Sequence, residues 1–78
     1  MTRTPLKDFE GRIIGFLEDT NNIIIAKDFY GRIVGKYHKD TNKTHDFEGR
    51  IIGKGDLTSA LIYKANQENQ IKRKNEKK

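Results

Sequence analysis

The octapeptide Asp8-Phe9-Glu10-Gly11-Arg12-Ile13-Ile14-Gly15 decides the fold of this chain, because it recurs as Asp28-Phe29-Tyr30-Gly31-Arg32-Ile33-Val34-Gly35 and as Asp46-Phe47-Glu48-Gly49-Arg50-Ile51-Ile52-Gly53. The copies begin 20 and then 18 residues apart and contain six of the seven glycines. A repeat of this period is typical of supersecondary units that stack or are arranged radially. The octapeptide therefore predicts the architecture, and it leaves the activity open.

Each copy opens with Asp-x-x-Gly and continues into β-branched residues, a pattern that predicts a β-hairpin. Its three loop residues would form a type I turn ending in a left-handed glycine, and the aspartate would accept a hydrogen bond from the backbone two residues on. The aspartate then faces the arginine of its own repeat, an opposite-charge pair worth roughly 0.2–1 kcal/mol. The residues predicted to build the turns are Asp8, Gly11, Arg12, Asp28, Gly31, Arg32, Asp46, Gly49 and Arg50. A two-residue loop, Glu10-Gly11 in the first hairpin, is the alternative register and would pair Phe9 with Arg12.

A second recurring element, Asp19-Thr20-Asn21 and Asp40-Thr41-Asn42, is a turn signal between the octapeptides. Asp56 is expected to cap a closing helix, and the helical spacing of its apolar residues predicts the face that covers the sheet. Strands are expected near residues 4–8, 12–18, 23–28, 32–39, 43–46 and 50–54. The predicted helix face consists of Leu57, Ala60, Leu61, Lys64 and Ala65.

The predicted fold class is mainly β: antiparallel β-hairpin repeats of about six strands, arranged as a meander or radially, with one C-terminal α-helix. Residues 1–65 would form the hairpin domain and the start of the helix. Residues 66–78 are polar and basic, and they are expected to be a helical extension or a disordered tail.

The strands that follow the turns carry two adjacent aliphatic residues, which alternation places on opposite faces of a sheet. Both faces therefore appear apolar in the sequence, whereas a sheet with one solvated face alternates apolar and polar residues. One helix covers one face, so the other must meet a second subunit or the hairpins must curl around a common axis. Glycines 15, 35 and 53 remove a side chain where curvature or close approach would require it.

The phenylalanine at the second turn position is the least expected of the repeated choices, since such positions are commonly exposed. The favoured interpretation is that the rings pack beneath the tips or in an oligomer contact. The alternative is an exposed aromatic rim, which would mark an interaction site. The candidate rim residues are Phe9, Phe29 and Phe47.

The run Asp-x-x-Gly-Arg-Ile is similar to the YD-type repeats of large bacterial shell-forming proteins, although Lys7, Lys27 and His45 precede the aspartates here in place of tyrosine. In size and layout the chain more closely resembles the small bacterial family of four-fold β-flower proteins, over residues 4–65. That resemblance implies Asp-x-x-Gly hairpins arranged radially, with a fourth unit from a degenerate segment. It implies no known activity and supplies no catalytic residues.

Composition limits the chemistry. The chain has no cysteine and a net charge of +5. Residues 1–71 contribute +1 (11 basic, 10 acidic) and residues 72–78 contribute +4 (five basic, one acidic), so the basicity lies in the tail. Without an apolar stretch of about 18 residues, a soluble, cytoplasmic protein is expected. The candidate phosphate-binding tail consists of Lys72, Arg73, Lys74, Lys77 and Lys78.

Catalytic and metal-binding arrangements are not found in the sequence. Ser59 is the single serine, and His38 and His45, which flank one turn, lack a third ligand for zinc. The paired aspartates and arginines are stabilised as ions, which opposes general acid catalysis. We therefore expect no enzyme, no cofactor and no metal.

The leading functional hypothesis is a small non-enzymatic structural or protein-interaction module that self-associates, because 78 residues without cysteine bury little core. One alternative is a nucleic-acid-binding accessory protein that uses the basic tail, with aromatic tips as stacking surfaces. Another is a phage or mobile-element protein that inhibits a host factor.

Overall fold

The structure is a computed structural model that describes residues 2–76, with side chains described as far as Glu68. Six strands are followed by one helix, which confirms the predicted mainly-β class. The elements are β1 (Thr2–Lys7), β2 (Ile13–Asp19), β3 (Ile23–Asp28), β4 (Ile33–His38), β5 (Lys43–Asp46), β6 (Ile51–Lys54) and α1 (Thr58–Glu76).

The strands form one antiparallel meander in the order β1-β2-β3-β4-β5-β6. The three octapeptide turns, at residues 8–12, 28–32 and 46–50, therefore lie at one end of the sheet, and the two Asp-Thr-Asn turns lie at the other. Residues 2–76 contain three octapeptide hairpins and no degenerate fourth one. The β1 and β6 strands are the two edges of the sheet.

A β-bulge follows each octapeptide turn, a feature that simple alternation did not predict. In the first hairpin Leu6 pairs with Gly15 but Lys7 pairs with Ile13, so Ile14 is the extra residue. Equivalent register shifts occur in the second and third hairpins. A bulge bends its strand and increases the local twist. The bulge places both Ile14 and Gly15 on the side of the sheet that faces α1.

The last glycine of each octapeptide lies against a side chain of α1 or of Leu57, the residue just before it. A Cβ added to Gly15 would lie 2.4 Å from Cγ2 of Ile62, and one added to Gly35 would lie 2.3 Å from Cδ1 of Leu61. At Gly53 the corresponding neighbour is Cδ1 of Leu57, at 2.7 Å. These separations are far below the 3.5–4.0 Å of an ordinary carbon contact. The repeated glycine is therefore a helix-docking residue.

The sheet curls around the first turns of α1. Leu57, Leu61 and Ile62 contact the glycines of β6, β4 and β2, and the hydroxyl of Tyr63 donates to the carbonyl of Lys7 in β1 at 3.3 Å. At about 100° per residue, these four side chains span roughly 240° of the helix circumference. The sheet thus curves across the start of α1, and β2, β3 and β4 are the strands that pack mainly against the helix.

This curvature corrects the predicted helix face. Ile62 and Thr58 are fully buried, although neither belongs to the predicted stripe. Ala60 and Lys64 belong to that stripe and are exposed. The buried core is small: of the hydrophobic side chains that are described, only Ile14, Ala26 and Ile62 are buried.

Candidate functional site

The hairpin tips are the candidate functional site, and each is a three-residue loop. In the first tip the backbone N–H of Asp8 donates to the carbonyl of Arg12 at 2.9 Å, and that of Gly11 donates to the carbonyl of Asp8 at 3.0 Å. The other two tips have the same pair of hydrogen bonds at the same distances. Gly11, Gly31 and Gly49 have φ values of 82°, 83° and 88°, the left-handed region in which glycine avoids a Cβ clash. The chain therefore adopts the three-residue register and not the two-residue alternative.

The aspartate carboxylate holds each tip rigid. Oδ1 of Asp8 accepts hydrogen bonds from the backbone N–H groups of Glu10 and Arg12 at 2.9 and 3.0 Å. Its Oδ2 accepts one from Nε of Arg12 at 3.1 Å. Donation from the backbone of Arg12 is the main cause that lowers the pKa of Asp8 below its ordinary value, with the backbone of Glu10 and the Arg12 side chain adding to it against a desolvation penalty. The pKa of Asp46 is lowered in the same way, chiefly by the backbone N–H of Arg50.

The exposed arginine of each tip is neutralised by its own repeat. Nη2 of Arg12 lies 3.0 Å from Oε1 of Glu10. The equivalent pair in the third tip, Arg50 and Glu48, is 2.9 Å apart. In the second tip, tyrosine replaces the glutamate. The guanidinium of Arg32 lies 5.3 Å from the centre of the Tyr30 ring, and it also forms an ion pair with Asp28. The tip end of the sheet is therefore not a strongly positive surface.

The tip phenylalanines are exposed, so the expectation that they pack beneath the tips is wrong. The exposed fractions are 96% for Phe9, 51% for Phe29 and 71% for Phe47. The carboxylate hydrogen bonds fix the loop backbone, and the second turn position then points away from the sheet. Eight of the nine exposed large hydrophobic residues among the described side chains belong to the octapeptides. The tip end is thus an apolar rim.

Clefts separate the successive tips. The first has a volume of about 510 Å³ and is lined by Arg12 and Ile14 of the first tip, Phe29 of the second and Asn66 of α1. The second cleft, of about 300 Å³, is lined by the equivalent residues of the second tip and by the phenylalanine of the third. Its lining residues are Asp28, Arg32, Ile33, Val34, Phe47, Ala65 and Glu68. Each cleft therefore combines the arginine and aliphatics of one tip with the phenylalanine of the next.

The histidines belong to no cluster of metal ligands among the residues searched, and the side chains of the basic tail lie outside the described part of the chain. The rings of His38 and His45 are 4.5 Å apart across β4 and β5, and no group of three or more potential metal ligands occurs among the residues searched. Lys72, Arg73 and Lys74 lie on the last turns of α1, where side chains are not described, and Lys77 and Lys78 lie outside the described residues. No helix in the described part of the chain is long and apolar enough to cross a membrane.

Sequence reasoning missed Thr44, which joins β5 to the start of α1. Its hydroxyl is fully buried, donates to the carbonyl of Gly55 at 2.6 Å and accepts from the backbone N–H of Leu57 at 3.0 Å. Asp56 contributes the predicted cap, since its carboxylate accepts from the backbone N–H of Thr58 at 3.0 Å. A lone threonine in a short polar strand gives no signal of this role.

The fold and the site define a class: three octapeptide hairpins in a curled meander around one helix, with an apolar rim at the tips. Comparison of the chain with protein-family models, with curated proteins and with solved structures finds no match.

Proposed function

We propose that this chain is a small non-enzymatic interaction module that self-associates through the apolar rim of its hairpin tips. The observation that supports the proposal is the distribution of apolar side chains. Of the described hydrophobic residues, only three are buried, while eight large ones are exposed on the octapeptides. Exposed apolar patches of this kind mark interaction sites in small proteins.

The rigidity of the tips favours a role in binding, because the exposed rings are held on fixed loops. Each tip aspartate accepts hydrogen bonds from two backbone N–H groups and one guanidinium, so the loop is fixed before any partner arrives. A preorganised loop loses less conformational freedom on association than a mobile one. Phenylalanine on such a loop can bury 150–250 Å² of surface on binding, by the general range for aromatic residues.

Catalysis and nucleic-acid binding have weaker support. Hydrogen bonds and ion pairs lower the pKa values of Asp8 and Asp46, so these two carboxylates do not fit the role of a general acid. Arg12 and Arg50 are engaged by carboxylates of their own tips. Phosphate recognition at the rim would require those ion pairs to open.

The proposal is tested by measuring the mass of the full chain by sedimentation velocity between about 1 and 200 µM. We expect the mean mass to rise with concentration above the 9.1 kDa of one chain. The association should persist in 0.5 M salt, because apolar burial is not screened as charge pairs are. A strictly monomeric chain over this range would refute the proposal.

A further inference from the structure

The face of the sheet that points away from α1, here called the outer face, carries every lysine and arginine of the strands. Gly15, Gly35 and Gly53 mark the opposite, inner face, because each lies against a side chain of the helix segment. Side chains alternate along a strand, and residues paired across antiparallel strands lie on one face, so the register assigns the other strand residues. The basic residues on the outer face are Arg3, Lys7, Lys27, Lys36, Lys43 and Lys54.

The acidic residues of the strands are distributed in the opposite way. Asp19, Asp28 and Asp46 lie on the inner face by the same register. Glu18 lies on the outer face, where it forms an ion pair of 2.9 Å with Lys27. The strands therefore place six basic residues and one acidic residue on the outer face. The near-neutral sum over residues 1–71 hides this separation, because acidic residues of the tips and turns offset the lysines.

Three of these lysines lie close together on β4, β5 and β6, and none of them forms an ion pair with a described residue. Lys43 pairs directly with Lys54, and Lys36 lies on the neighbouring strand. Like charges directly opposite each other destabilise a sheet. A lysine on an edge strand opposes pairing with other chains, which accounts for Lys54 on β6 but not for Lys36 and Lys43 on interior strands. The arrangement costs stability and suits an anion that binds between the lysines.

A cleft of about 470 Å³ opens beside this cluster, toward the third tip. Lys36 lines it together with His38 and His45, whose ring centres are 4.5 Å apart. Phe47, which is 71% exposed, adds a third ring. The carboxylate of Asp46, the one acidic residue in the lining, is engaged within its own tip. The cleft thus offers a cation beside aromatic rings, and its volume lies within the roughly 300–1,000 Å³ of ligand pockets.

We infer that the outer face of β4, β5 and β6 binds single-stranded nucleic acid, with Lys36, Lys43 and Lys54 on phosphates and a base in the adjoining cleft. Proteins that bind single strands combine cations that follow the backbone with rings on which bases stack, and histidine serves as such a ring as phenylalanine does. Both features occur here on one surface. The inference is independent of the proposed self-association, and the ion pairs that engage Arg12 and Arg50 at the rim do not extend to these lysines.

Shape and composition favour a single strand over other polyanions. The sheet curves across the start of α1, so its outer face is convex. A flat bilayer would contact few of the six strands at once, and a rigid duplex has the same difficulty, whereas a single strand follows the curvature. An acidic peptide would satisfy the lysines, but it supplies no flat rings for the cleft.

The test measures the fluorescence anisotropy of a labelled single-stranded DNA of about 20 nucleotides, longer than the roughly 4–16 nucleotides that one small domain covers. The variant Lys36→Gln/Lys43→Gln/Lys54→Gln removes the cluster from the full chain. The matched control, Lys64→Gln/Lys72→Gln/Lys74→Gln, makes the same change of charge on α1. Circular dichroism establishes folding, and the cluster variant should melt at or above the temperature of the unaltered chain, because the lysines repel each other. Lys54→Gln, an exposed edge substitution, replaces the triple variant if that fails to fold.

We expect the cluster variant to bind at least tenfold more weakly and the control to change affinity by less than about threefold. Each lost phosphate contact should also reduce the slope of log affinity against log salt by about 0.7, so the slope should fall by about 2 for the triple variant and by about 0.7 for Lys54→Gln. Equal affinities of the cluster variant and the unaltered chain would overturn the inference, as would an equal loss in the control.

The occupant is tested by competition against the labelled strand. A duplex of the same sequence, polyglutamate and phosphatidylserine vesicles should each compete at least tenfold less well per charge than the unlabelled single strand. Equal competition by any of them, or no binding of the labelled strand at about 50 mM salt, would overturn the assignment to single-stranded nucleic acid. A chain that binds the strand and stays monomeric would refute the proposed self-association and leave this inference standing.

Discussion

Replacement of Gly35 by alanine is the most direct test of how the helix docks on the repeats. The new Cβ would lie 2.3 Å from Cδ1 of Leu61 and 2.6 Å from the backbone oxygen of His45. The leucine can change rotamer, but the oxygen belongs to a strand held by the β4–β5 ladder, where Gly35 pairs with Asp46. The substitution must therefore displace the backbone of the sheet or push the helix away.

The cost follows from two opposing effects. Overpacking of a well-packed site lowers the free energy of unfolding by about 1–3 kcal/mol. Alanine raises it by about 0.4–1 kcal/mol, because it reduces the conformational freedom of the unfolded chain. We expect a net loss of about 2 kcal/mol at Gly35, which for a chain of this size lowers the melting temperature by roughly 8–16 °C. Gly53→Ala is the matched control, because its one close neighbour is the flexible end of Leu57 at 2.7 Å. Its net change should stay within about 1 kcal/mol.

The assay is thermal unfolding followed by circular dichroism, at one fixed protein concentration because association shifts the midpoint. Gly15→Ala should behave like Gly35→Ala, since its Cβ would lie 2.5 Å from the backbone oxygen of Lys27. If Gly35→Ala melts at or above the temperature of Gly53→Ala, the close approach of helix and sheet described above is wrong.

Three further predictions concern other parts of the chain. Thr44→Val should lower the free energy of unfolding by about 1–3 kcal/mol, measured by urea titration, because the buried turn before α1 loses two hydrogen bonds. Asp8 and Asp46 have folded-state pKa values below the unfolded value, so their stabilisation is complete above about pH 4 and is lost as the pH falls through the lowered values. Melting temperatures from pH 6 to pH 2 should therefore fall less steeply for the Asp8→Asn/Asp46→Asn variant than for the unaltered chain. Deletion of residues 72–78, which changes the net charge from +5 to +1, should leave sedimentation unchanged in 0.15 M salt, and a loss of association would assign the contact to the tail.

The tips could be predicted from the sequence because their interactions are local. Every hydrogen bond of the first tip joins residues within the five positions from Asp8 to Arg12. Residue types with strong turn preferences determine such a loop without reference to the rest of the chain. The exposure of Phe9 and Phe47 is different, since it depends on whether distant parts of the chain pack against the tips, and they do not. The expectation that the rings pack beneath the tips therefore failed, whereas packing in an oligomer contact stays a prediction.

The helix face could not be predicted because helical periodicity assumes a flat surface on one side of the helix. A flat sheet buries a single stripe, and the residues Leu57, Ala60, Leu61 and Lys64 fit that assumption. The bulge in each hairpin bends the sheet around the helix, so burial extends over more than half of its circumference and includes Ile62. The information that determines this curvature lies in the octapeptide: the aliphatic pair supplies the bulge residue, and the glycine after it lets the helix approach. The same octapeptide thus builds the rim at one end and the helix-docking surface behind it.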